Sequence, residues 1–446
     1  MIAISLADLA AVVGGTVHPR GAGSTVVSGP AYLDSRRPEP GGLFVAIAGE
    51  RTDGHAYAAG AHAVLGSRPT VAPTVVVRDP QVALARLARH VVDRVAPTTF
   101  AITGSHGKTT TKELLAAVLG AGGGGCVATA GNLNNELGVP LTCLRLGPDT
   151  RELVLEMGAR GLGHLAWLCD VAPPQVAAVL AVGSAHVGEF GSPGLVAAAK
   201  GEIVEALAPS GVAVLNADDP AVAAMAARTT ARVLTFGEAG DVSWHSLALD
   251  GRGRASFVLT HEGRSAPVEL AIAGRHQVAN AAAAAAMALA AGRSLAGVAA
   301  ALSAARPAPA SRSAVTRRAD GLLVLDDSYN ANPESVRAAL ATLVDLGRDR
   351  PGRTVAVLGE MRELGPASPA AHAAVGAFAR DAGVDVLLAV GEAAWPAGGK
   401  PVPDRAAALA WLRAHLGPGD TVLVKGSRAV GLDAVAAGLL GTPDEL

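Results

Sequence analysis

The sequence has 446 residues and contains little of several residue types on which common functions depend. Aromatic residues make up only 3% of it, and 37 Lys+Arg against 39 Asp+Glu leave a formal net charge of −2. A chain without a basic excess has no electrostatic reason to bind nucleic acid or an anionic membrane, so neither partner is expected. The partner we expect instead is a small molecule.

Cysteines and long apolar runs are also scarce. The three cysteines, Cys126, Cys143 and Cys169, are odd in number and lack a C-x-x-C spacing, which argues against a disulfide framework and a zinc site. The longest apolar run, 281–291, is shorter than the roughly 18 residues of a membrane-spanning helix. The first residues also lack the basic segment of a signal peptide. We therefore expect a cytoplasmic protein without membrane insertion.

Lysine is rare as well. Lys108, Lys112, Lys200, Lys400 and Lys425 are the five lysines, which leaves 32 of the 37 basic residues as arginine. Because the chain carries nearly all of its positive charge on arginine, each lysine is a candidate for a role that an ammonium group or its neutral amine fills better.

Three α/β domains are predicted, because domains average roughly 150 residues and the pattern of strands and helices changes twice. Residues 1–97 combine short apolar strands, turn clusters and one helical segment. Residues 98–308 repeat apolar strand, glycine-rich turn and helix, which predicts a parallel sheet covered on both faces, and a more alternating β-like stretch follows. After a proline-punctuated hinge near 308, residues 309–446 repeat the parallel-sheet pattern in a Rossmann-like domain.

The clearest local motif is a glycine-rich turn between an apolar strand and a helix. It comprises Gly104, Ser105, His106, Gly107, Lys108, Thr109 and Thr110. A strand, a glycine turn and a helix N-terminus surround an anion with backbone N–H groups, so we expect a nucleotide phosphate site. Lys108 would reach the terminal phosphates and the Thr109 hydroxyl would bind Mg²⁺, although the spacing G-x-x-G-K-T departs from G-x-x-x-x-G-K-[ST]. The alternative, a turn that only caps a helix, leaves Lys108 and the threonines unexplained.

Three further residues are candidates for metal binding beside this loop. Glu156 and His186 each follow a predicted strand, and open parallel sheets bind ligands at the carboxyl ends of their strands. Lys200 lies on a predicted helix, and only lysine can be carbamylated into a metal-binding acid. The alternatives are strand-end residues hydrogen-bonded to a loop, for Glu156 and His186, and a solvated surface charge, for Lys200.

Asparagine is concentrated in two segments of the chain. Asn132, Asn134 and Asn135 lie in the first, and Asn330 and Asn332 lie in the second, the segment Asp326–Pro333. Asparagine commonly forms turns, but the other turns of this chain use glycine, proline and aspartate. We therefore interpret both clusters as ligand-binding loops, with Asp327 as a partner for a ribose hydroxyl or a cation.

Taken together, the motifs resemble the Mur ligases of peptidoglycan synthesis. The resemblance runs from Asp34 to Arg428 and rests on segments that occur in the family's order: 104–110, 131–140, 155–159, 186–191, 199–202, 276–280 and 327–333. The phosphate loop is shared with folylpolyglutamate synthetases, whereas the loop Asn134–Thr142 and the segment Asp327–Pro333 are more specific. They are typical of the members that join D-alanyl-D-alanine to a UDP-N-acetylmuramoyl-tripeptide.

The resemblance implies an ATP-dependent amide ligation. ATP would phosphorylate the terminal carboxylate of the UDP-linked peptide, and the amine of D-alanyl-D-alanine would attack the acyl phosphate. Thr109 and Glu156 would bind one Mg²⁺, and His186 and carbamylated Lys200 a second. Lys108, His186 and Lys200 are the implied catalytic residues, and the enzyme is expected to be a monomer.

The resemblance also implies where the substrates bind. Asn280 would face the adenine, while Asp327, Tyr329 and Asn330 would hold the ribose and base. The UDP-sugar end would contact residues of the first domain and of the asparagine loop, namely Asp34, Ser35, Arg36, Asp53, Gly54, His55, Asn134 and Asn135.

One segment departs from the family pattern. Where the family usually has Gly-Arg-Met, with an arginine that reaches the γ-phosphate, this chain has Ser311-Arg312-Ser313. Arg312 keeps the guanidinium group without the preceding glycine. The segment Lys425–Arg428 either grips a substrate carboxylate or forms a helix-capping turn. As alternatives for the whole chain, we retain another Mur-type or folylpolyglutamate-type ligase and a nucleotide-driven switch.

Overall fold

The computed structural model describes residues 1–49, 52–183, 192–306 and 311–441. Within these residues the chain forms three successive α/β units, each with its own main sheet, and the prediction of an α/β fold is confirmed. The sheet changes between Val95 and Thr98 and again between Ala304 and Ala314. The limit at residue 97 stays a prediction, and the limit at 308 lies outside the described residues.

The first unit contains a small, mostly parallel sheet. Its strands lie in the spatial order Thr16–His18, Thr74–Val76, Ala63–Gly66, Leu43–Val45 and Ala31–Tyr32. Ile4–Ser5 pairs separately with Val26–Val27. The helices are Leu6–Val13 and Pro80–Val95, with short 3₁₀ helices at Arg20–Ser24 and Gly54–Tyr57. The long helix begins where the Asp79 carboxylate accepts hydrogen bonds from Gln81 N and Val82 N, an N-cap that satisfies two otherwise unpaired donors.

The second unit contains the largest sheet. Its strands lie in the order Arg264–Ala273, Arg254–His261, Val242–Leu249, Arg232–Phe236, Val212–Asn216, Val176–Val179, Thr98–Thr103, Thr150–Glu156 and Gly125–Ala128. The six neighbouring strands from Arg232–Phe236 to Gly125–Ala128 in this spatial order pair in parallel. The three remaining strands, Val242–Leu249, Arg254–His261 and Arg264–Ala273, pair antiparallel with one another. Its helices are Lys108–Gly120, Gly138–Cys143, His164–Val171, Pro193–Glu205, Pro220–Ala223, Gln277–Ala290 and Leu295–Ala304, with a 3₁₀ helix at Ala224–Arg228.

The third unit is built on a parallel sheet with one antiparallel edge strand. The strands lie in the order Ala314–Arg317, Leu323–Asp326, Thr421–Lys425, Thr354–Gly359, Val386–Val390 and Lys400–Val402. Its helices are Pro333–Gly347, Ser368–Asp381, Arg405–His415 and Asp433–Leu440, with 3₁₀ helices at Gly365–Ala367, Glu392–Ala397 and Arg428–Val430. Apolar side chains cover both faces of this sheet, as a parallel sheet between helices requires.

The sheet order indicates where a ligand of the second unit would bind. Strand Thr98–Thr103 lies between Thr150–Glu156 and Val176–Val179. The two strands that follow it in sequence lie on one side of it, and the next strands lie on the other side, so the strand order reverses there. Ligands of open parallel sheets bind at such a reversal, outside the carboxyl ends of the strands. In the described part of the chain, no helix is long and apolar enough to span a membrane.

Candidate functional site

The glycine-rich loop adopts the conformation that an anion site needs. It joins strand Thr98–Thr103 to helix Lys108–Gly120, and Gly107 has a φ of 80°. A Cβ at Gly107 would lie 2.4 Å from Asn280 Oδ1, so both the backbone and the neighbouring side chain require glycine there. Lys108 Nζ donates to Gly104 O at 2.6 Å, and burial lowers the pKa of Lys108. The lysine is thus held inside the loop.

Thr109 and Glu156 meet beside this loop. Thr109 Oγ1 donates to Glu156 Oε2 at 2.7 Å, and Asn134 Nδ2 donates to Glu156 Oε1 at 2.7 Å. Glu156 is 3% exposed, and its position at the end of a central strand agrees with the sequence prediction. A hydroxyl oxygen next to a carboxylate oxygen is a donor set that suits Mg²⁺, whose remaining ligands are commonly phosphate and water. The residues present therefore fit the metal.

Lys200 lies on helix Pro193–Glu205 and is 2% exposed, which rules out the solvated surface lysine. Burial, with a smaller contribution from the positive charge of Lys108, lowers the pKa of Lys200 to about 7. A substantial fraction of this amine is therefore neutral near pH 7, which is the form that reacts with carbon dioxide. His186, which was predicted to bind a second Mg²⁺ together with carbamylated Lys200, lies outside the described residues. Among the residues the structure describes, no group of three His, Cys, Asp or Glu side chains is arranged to hold a metal.

Lys425 and Asp327 form an ion pair in the third unit. Lys425 Nζ lies 2.5 Å from Asp327 Oδ2 and donates to Asn330 O at 2.9 Å. The lysine side chain is 3% exposed and the aspartate side chain 17%. The ammonium group therefore braces the segment Asp326–Pro333 from the neighbouring strand. Lys425, Ser427 and Arg428 also line the cavity described below, so both uses considered for the segment Lys425–Arg428 stay open.

Arg312 lies in a segment with two serines in the left-handed region. Ser311 has a φ of 75° and Ser313 a φ of 51°, a region that glycine adopts more readily than serine. Hydrogen bonds hold this backbone in place, because Tyr329 N donates to Ser311 O at 3.1 Å and Ser313 N donates to Asp327 Oδ1 at 3.0 Å. The Arg312 guanidinium carbon lies 3.9 Å from the centroid of the Tyr329 ring. Arg312 is thus held against Tyr329 by a segment whose backbone is fixed on both sides.

The helix that begins at Gln277 lies beside the glycine-rich loop. Asn280 Nδ2 donates to Gln277 Oε1 at 2.8 Å, while Asn280 Oδ1 faces Gly107 as described above. Burial lowers the pKa of His276 to about 4, so this imidazole is neutral at physiological pH.

These elements enclose one cavity of about 630 Å³ between the second and third units. The predicted residues that line it are Ser105, His106, Gly107, Lys108, Thr109, Thr110, Asn134, Asn135, Glu156, Lys200, Asn280, Arg312, Asp327, Tyr329 and Asn330. Residues not singled out from the sequence, such as Glu334, Arg362 and Glu363, also line it. Arg362 and Glu363 follow strand Thr354–Gly359, so the strand-end argument that found Glu156 would have found them too.

The residues predicted in the first unit lie outside this cavity. Asp34 accepts two hydrogen bonds from the Arg36 guanidinium, at 2.9 Å each, which lower the pKa of Asp34 to about 2. Asp53 lies 2.6 Å from His55 Nδ1, while Ser67 N donates to His55 Nε2 at 2.8 Å. Since Nε2 accepts a backbone N–H, the imidazole proton is on Nδ1 and faces Asp53. Ser35 and Gly54 lie within these two turns.

Asn135 and Lys112 serve the local structure. Asn135 Oδ1 accepts a hydrogen bond from Gly138 N at 2.9 Å and so supports the start of helix Gly138–Cys143. Lys112 is 1% exposed and donates to Thr129 O at 2.6 Å. It also pairs with its neighbour Glu113. Lys112 therefore ties the helix after the phosphate loop to the adjacent segment.

Comparison with known proteins agrees with this geometry. Family models described as "Mur ligase middle domain" and "Mur ligase, glutamate ligase domain" match residues 102–288 and 311–428. A Mycobacterium tuberculosis protein named UDP-N-acetylmuramoyl-tripeptide--D-alanyl-D-alanine ligase is 44% identical over 99% of this chain and 98% of its own length. A crystal structure of MurF from Acinetobacter baumannii has a TM-score of 0.90 and 34% identity and covers 99% of both chains.

A second solved structure includes a nucleotide. MurF ligase from Thermotoga maritima in complex with ADP has a TM-score of 0.82 and 31% identity, over 92% of this chain and 97% of that one. The chain belongs to the Mur ligase family, as its motifs predicted. The relatives named here, which it matches over nearly their whole length, carry the name of the D-alanyl-D-alanine ligases or MurF.

Proposed function

We propose that this chain is an ATP-dependent peptide ligase that adds D-alanyl-D-alanine to UDP-N-acetylmuramoyl-tripeptide. The reaction is the last cytoplasmic step in making the pentapeptide precursor of peptidoglycan. The observation that carries the proposal is the end-to-end similarity to ligases of that name, 44% identity over 99% of the chain. The cavity supports it independently, because the glycine-rich loop, the Thr109–Glu156 pair and residues of the third unit all line it.

The first chemical step moves the γ-phosphoryl group of ATP to the tripeptide carboxylate. Both reactants are anions, so their approach requires positive charge aimed at the transferred group. Lys108 of the second unit and Arg312 of the third both line the cavity and would supply this charge. Thr109 and Glu156 would hold Mg²⁺, which neutralises phosphate charge when bound. Asn134 keeps the Glu156 carboxylate oriented through its amide.

The second step forms the amide bond. The amine of D-alanyl-D-alanine attacks the acyl phosphate, and the tetrahedral intermediate releases inorganic phosphate. Lys200, carbamylated by carbon dioxide, would act with His186 as the ligand set for a second Mg²⁺. The pKa of about 7 supports this role, because the neutral amine is available for carbamylation at physiological pH.

The substrates are expected to occupy the cavity from two ends. Asn280 would face the adenine, and Asp327, Tyr329 and Asn330 would hold the ribose and base. The UDP-sugar end would extend toward the first domain, where Asp34, Ser35, Arg36, Asp53, Gly54 and His55 would contact it, together with Asn134 and Asn135. We further propose that the enzyme works as a cytoplasmic monomer.

Product analysis tests the proposal. The chain is incubated with ATP, Mg²⁺, UDP-N-acetylmuramoyl-tripeptide and D-alanyl-D-alanine, and the nucleotide-linked product is weighed by mass spectrometry. The proposal predicts a product whose mass equals that of tripeptide and dipeptide joined with loss of one water. A product formed with a single amino acid and not with the dipeptide would assign the chain to another ligase of the family.

A further inference from the structure

Asn332 lies where the third unit meets the phosphate loop. It is the N-cap of helix Pro333–Gly347, in which Asn332 Oδ1 accepts from Ser335 N at 2.8 Å and Asn332 N donates to Ser335 Oγ at 3.1 Å. The other end of the same amide, Nδ2, donates to Ser105 O at 3.2 Å. One side chain therefore serves a helix of one domain and the phosphate loop of another.

Ser105 is held through three groups, two of them within its own domain. Ser105 N donates to Ala181 O at 2.9 Å, and Ser105 Oγ accepts from Gly183 N at 2.8 Å. The third group, the carbonyl oxygen, is held by Asn332 of the other domain. The orientation of this carbonyl therefore depends on the docking of the third unit.

The helix after Asn332 packs against the second unit along its length. At its start, a Cβ on Gly183 would lie 2.9 Å from Glu334 Cδ. Further along, a Cβ on Gly274 would lie 3.0 Å from Thr342 Oγ1, and one on Gly253 would lie 3.1 Å from Leu346 Cδ2. These close approaches hold the helix in one place relative to the loop, so the Asn332 contact is part of a continuous interface.

The orientation of the Ser105 carbonyl has a direct consequence for anion binding. A peptide unit is planar and trans, so the carbonyl of Ser105 and the N–H of His106 point in opposite directions. A hydrogen bond that fixes the carbonyl toward Asn332 turns the N–H the other way. Loops of this kind bind phosphate through inward-facing backbone N–H groups, and their value lies in being oriented before the ligand arrives.

We propose that Asn332 is a positioning residue for the phosphate loop, which aims the His106 N–H at the nucleotide phosphates once the third unit has docked. Asn332 contacts no reacting atom in this role and acts through the Ser105–His106 peptide. The inference rests on the proposed nucleotide binding and is independent of which amine is ligated.

The experiment separates this role from helix capping. Asn332→Ser keeps a hydroxyl that caps the helix nearly as well but has no amide to reach Ser105 O. Asp404→Ala is the matched control, because Asp404 caps helix Arg405–His415 by accepting from Ala407 N at 2.8 Å and lies outside the cavity. Binding of ADP and of a non-hydrolysable ATP analogue is measured without other substrates, and melting temperatures are measured in parallel.

We expect Asn332→Ser to weaken nucleotide binding by about three- to tenfold, which is the net value of one hydrogen bond, with a melting temperature within about 2 °C of the wild type. The KM for ATP should rise while the KM for D-alanyl-D-alanine stays constant. Asp404→Ala should lower the melting temperature and leave nucleotide binding unchanged.

Wild-type nucleotide affinity in Asn332→Ser would overturn the inference, as would equal weakening in Asp404→Ala. These results leave the proposed ligase activity standing. Conversely, nucleotide binding that is weakened in Asn332→Ser would support the positioning role even if the wild-type chain forms no dipeptide product. The missing product would by itself refute the ligase assignment.

Discussion

Lys425→Met is expected to destabilise the third unit strongly. The substitution keeps much of the side-chain volume and removes the ammonium group that pairs with Asp327 at 2.5 Å. With the aspartate side chain only 17% exposed, its carboxylate is left largely buried without its cation. Removing one partner of a buried pair costs about 3–5 kcal/mol of the free energy of unfolding, because the remaining charge is uncompensated. The Asn330 carbonyl also loses a donor.

Urea denaturation of the full chain measures this cost, with Lys400→Met as the matched control. Lys400 is exposed, and its Nζ lies 5.9 Å from the centroid of the Trp411 ring, so its replacement should cost less than about 0.5 kcal/mol. Asp327→Asn and the double variant Lys425→Met/Asp327→Asn complete a double-mutant cycle. We expect it to give a coupling free energy between the two side chains of roughly 1–3 kcal/mol. If Lys425→Met costs no more than Lys400→Met, the pair does not brace the loop, and the reasoning is wrong.

Three further predictions concern the cavity. Glu156→Gln should lower activity roughly 100-fold and raise the Mg²⁺ concentration needed for activity. The control is Glu152→Gln, on the same strand but paired with Arg293 at 2.5 Å, which should leave the Mg²⁺ dependence unchanged. Equal Mg²⁺ dependence in both variants would remove Glu156 from the metal site. Lys200→Ala should lose most activity and regain part of it with short carboxylic acids that replace the carbamate, whereas full activity in the untreated variant would show that Lys200 is not needed. Burial lowers the pKa of His276 to about 4, so between about pH 6.5 and 4 the unfolded chain binds a proton that the folded chain does not. The free energy of unfolding should therefore fall by roughly 1–3 kcal/mol as the pH drops through this range. His276→Gln should flatten that dependence, and an unchanged pH slope in the variant would contradict it.

The positions of Glu156 and Lys108 could be predicted because they depend on local pattern. A buried strand that ends in a polar residue, or in a glycine turn before a helix, places that residue at the carboxyl edge of a parallel sheet. The scarcity of lysine likewise singled out Lys200, which is buried in the structure. These inferences need only the strand boundaries and the chemistry of one side chain.

The contacts of Lys425 and Asn332 could not be predicted in this way. Lys425 pairs with Asp327, 98 residues earlier, and Asn332 contacts Ser105, 227 residues earlier. Such contacts depend on how neighbouring strands align and how two domains dock, which a single sequence does not encode as a local pattern. The alternation of strands and helices therefore predicts the fold well, while the partner of a buried lysine requires coordinates.

Phosphate release in the presence of each substrate, separately and together, tests the central claim most directly. The account predicts that the chain, supplied with ATP and Mg²⁺, releases stoichiometric phosphate only when UDP-N-acetylmuramoyl-tripeptide and D-alanyl-D-alanine are both present. The tripeptide is supplied in both its diaminopimelate and lysine forms. Phosphate release that is indifferent to the dipeptide would contradict the ligase and favour a nucleotide-driven switch.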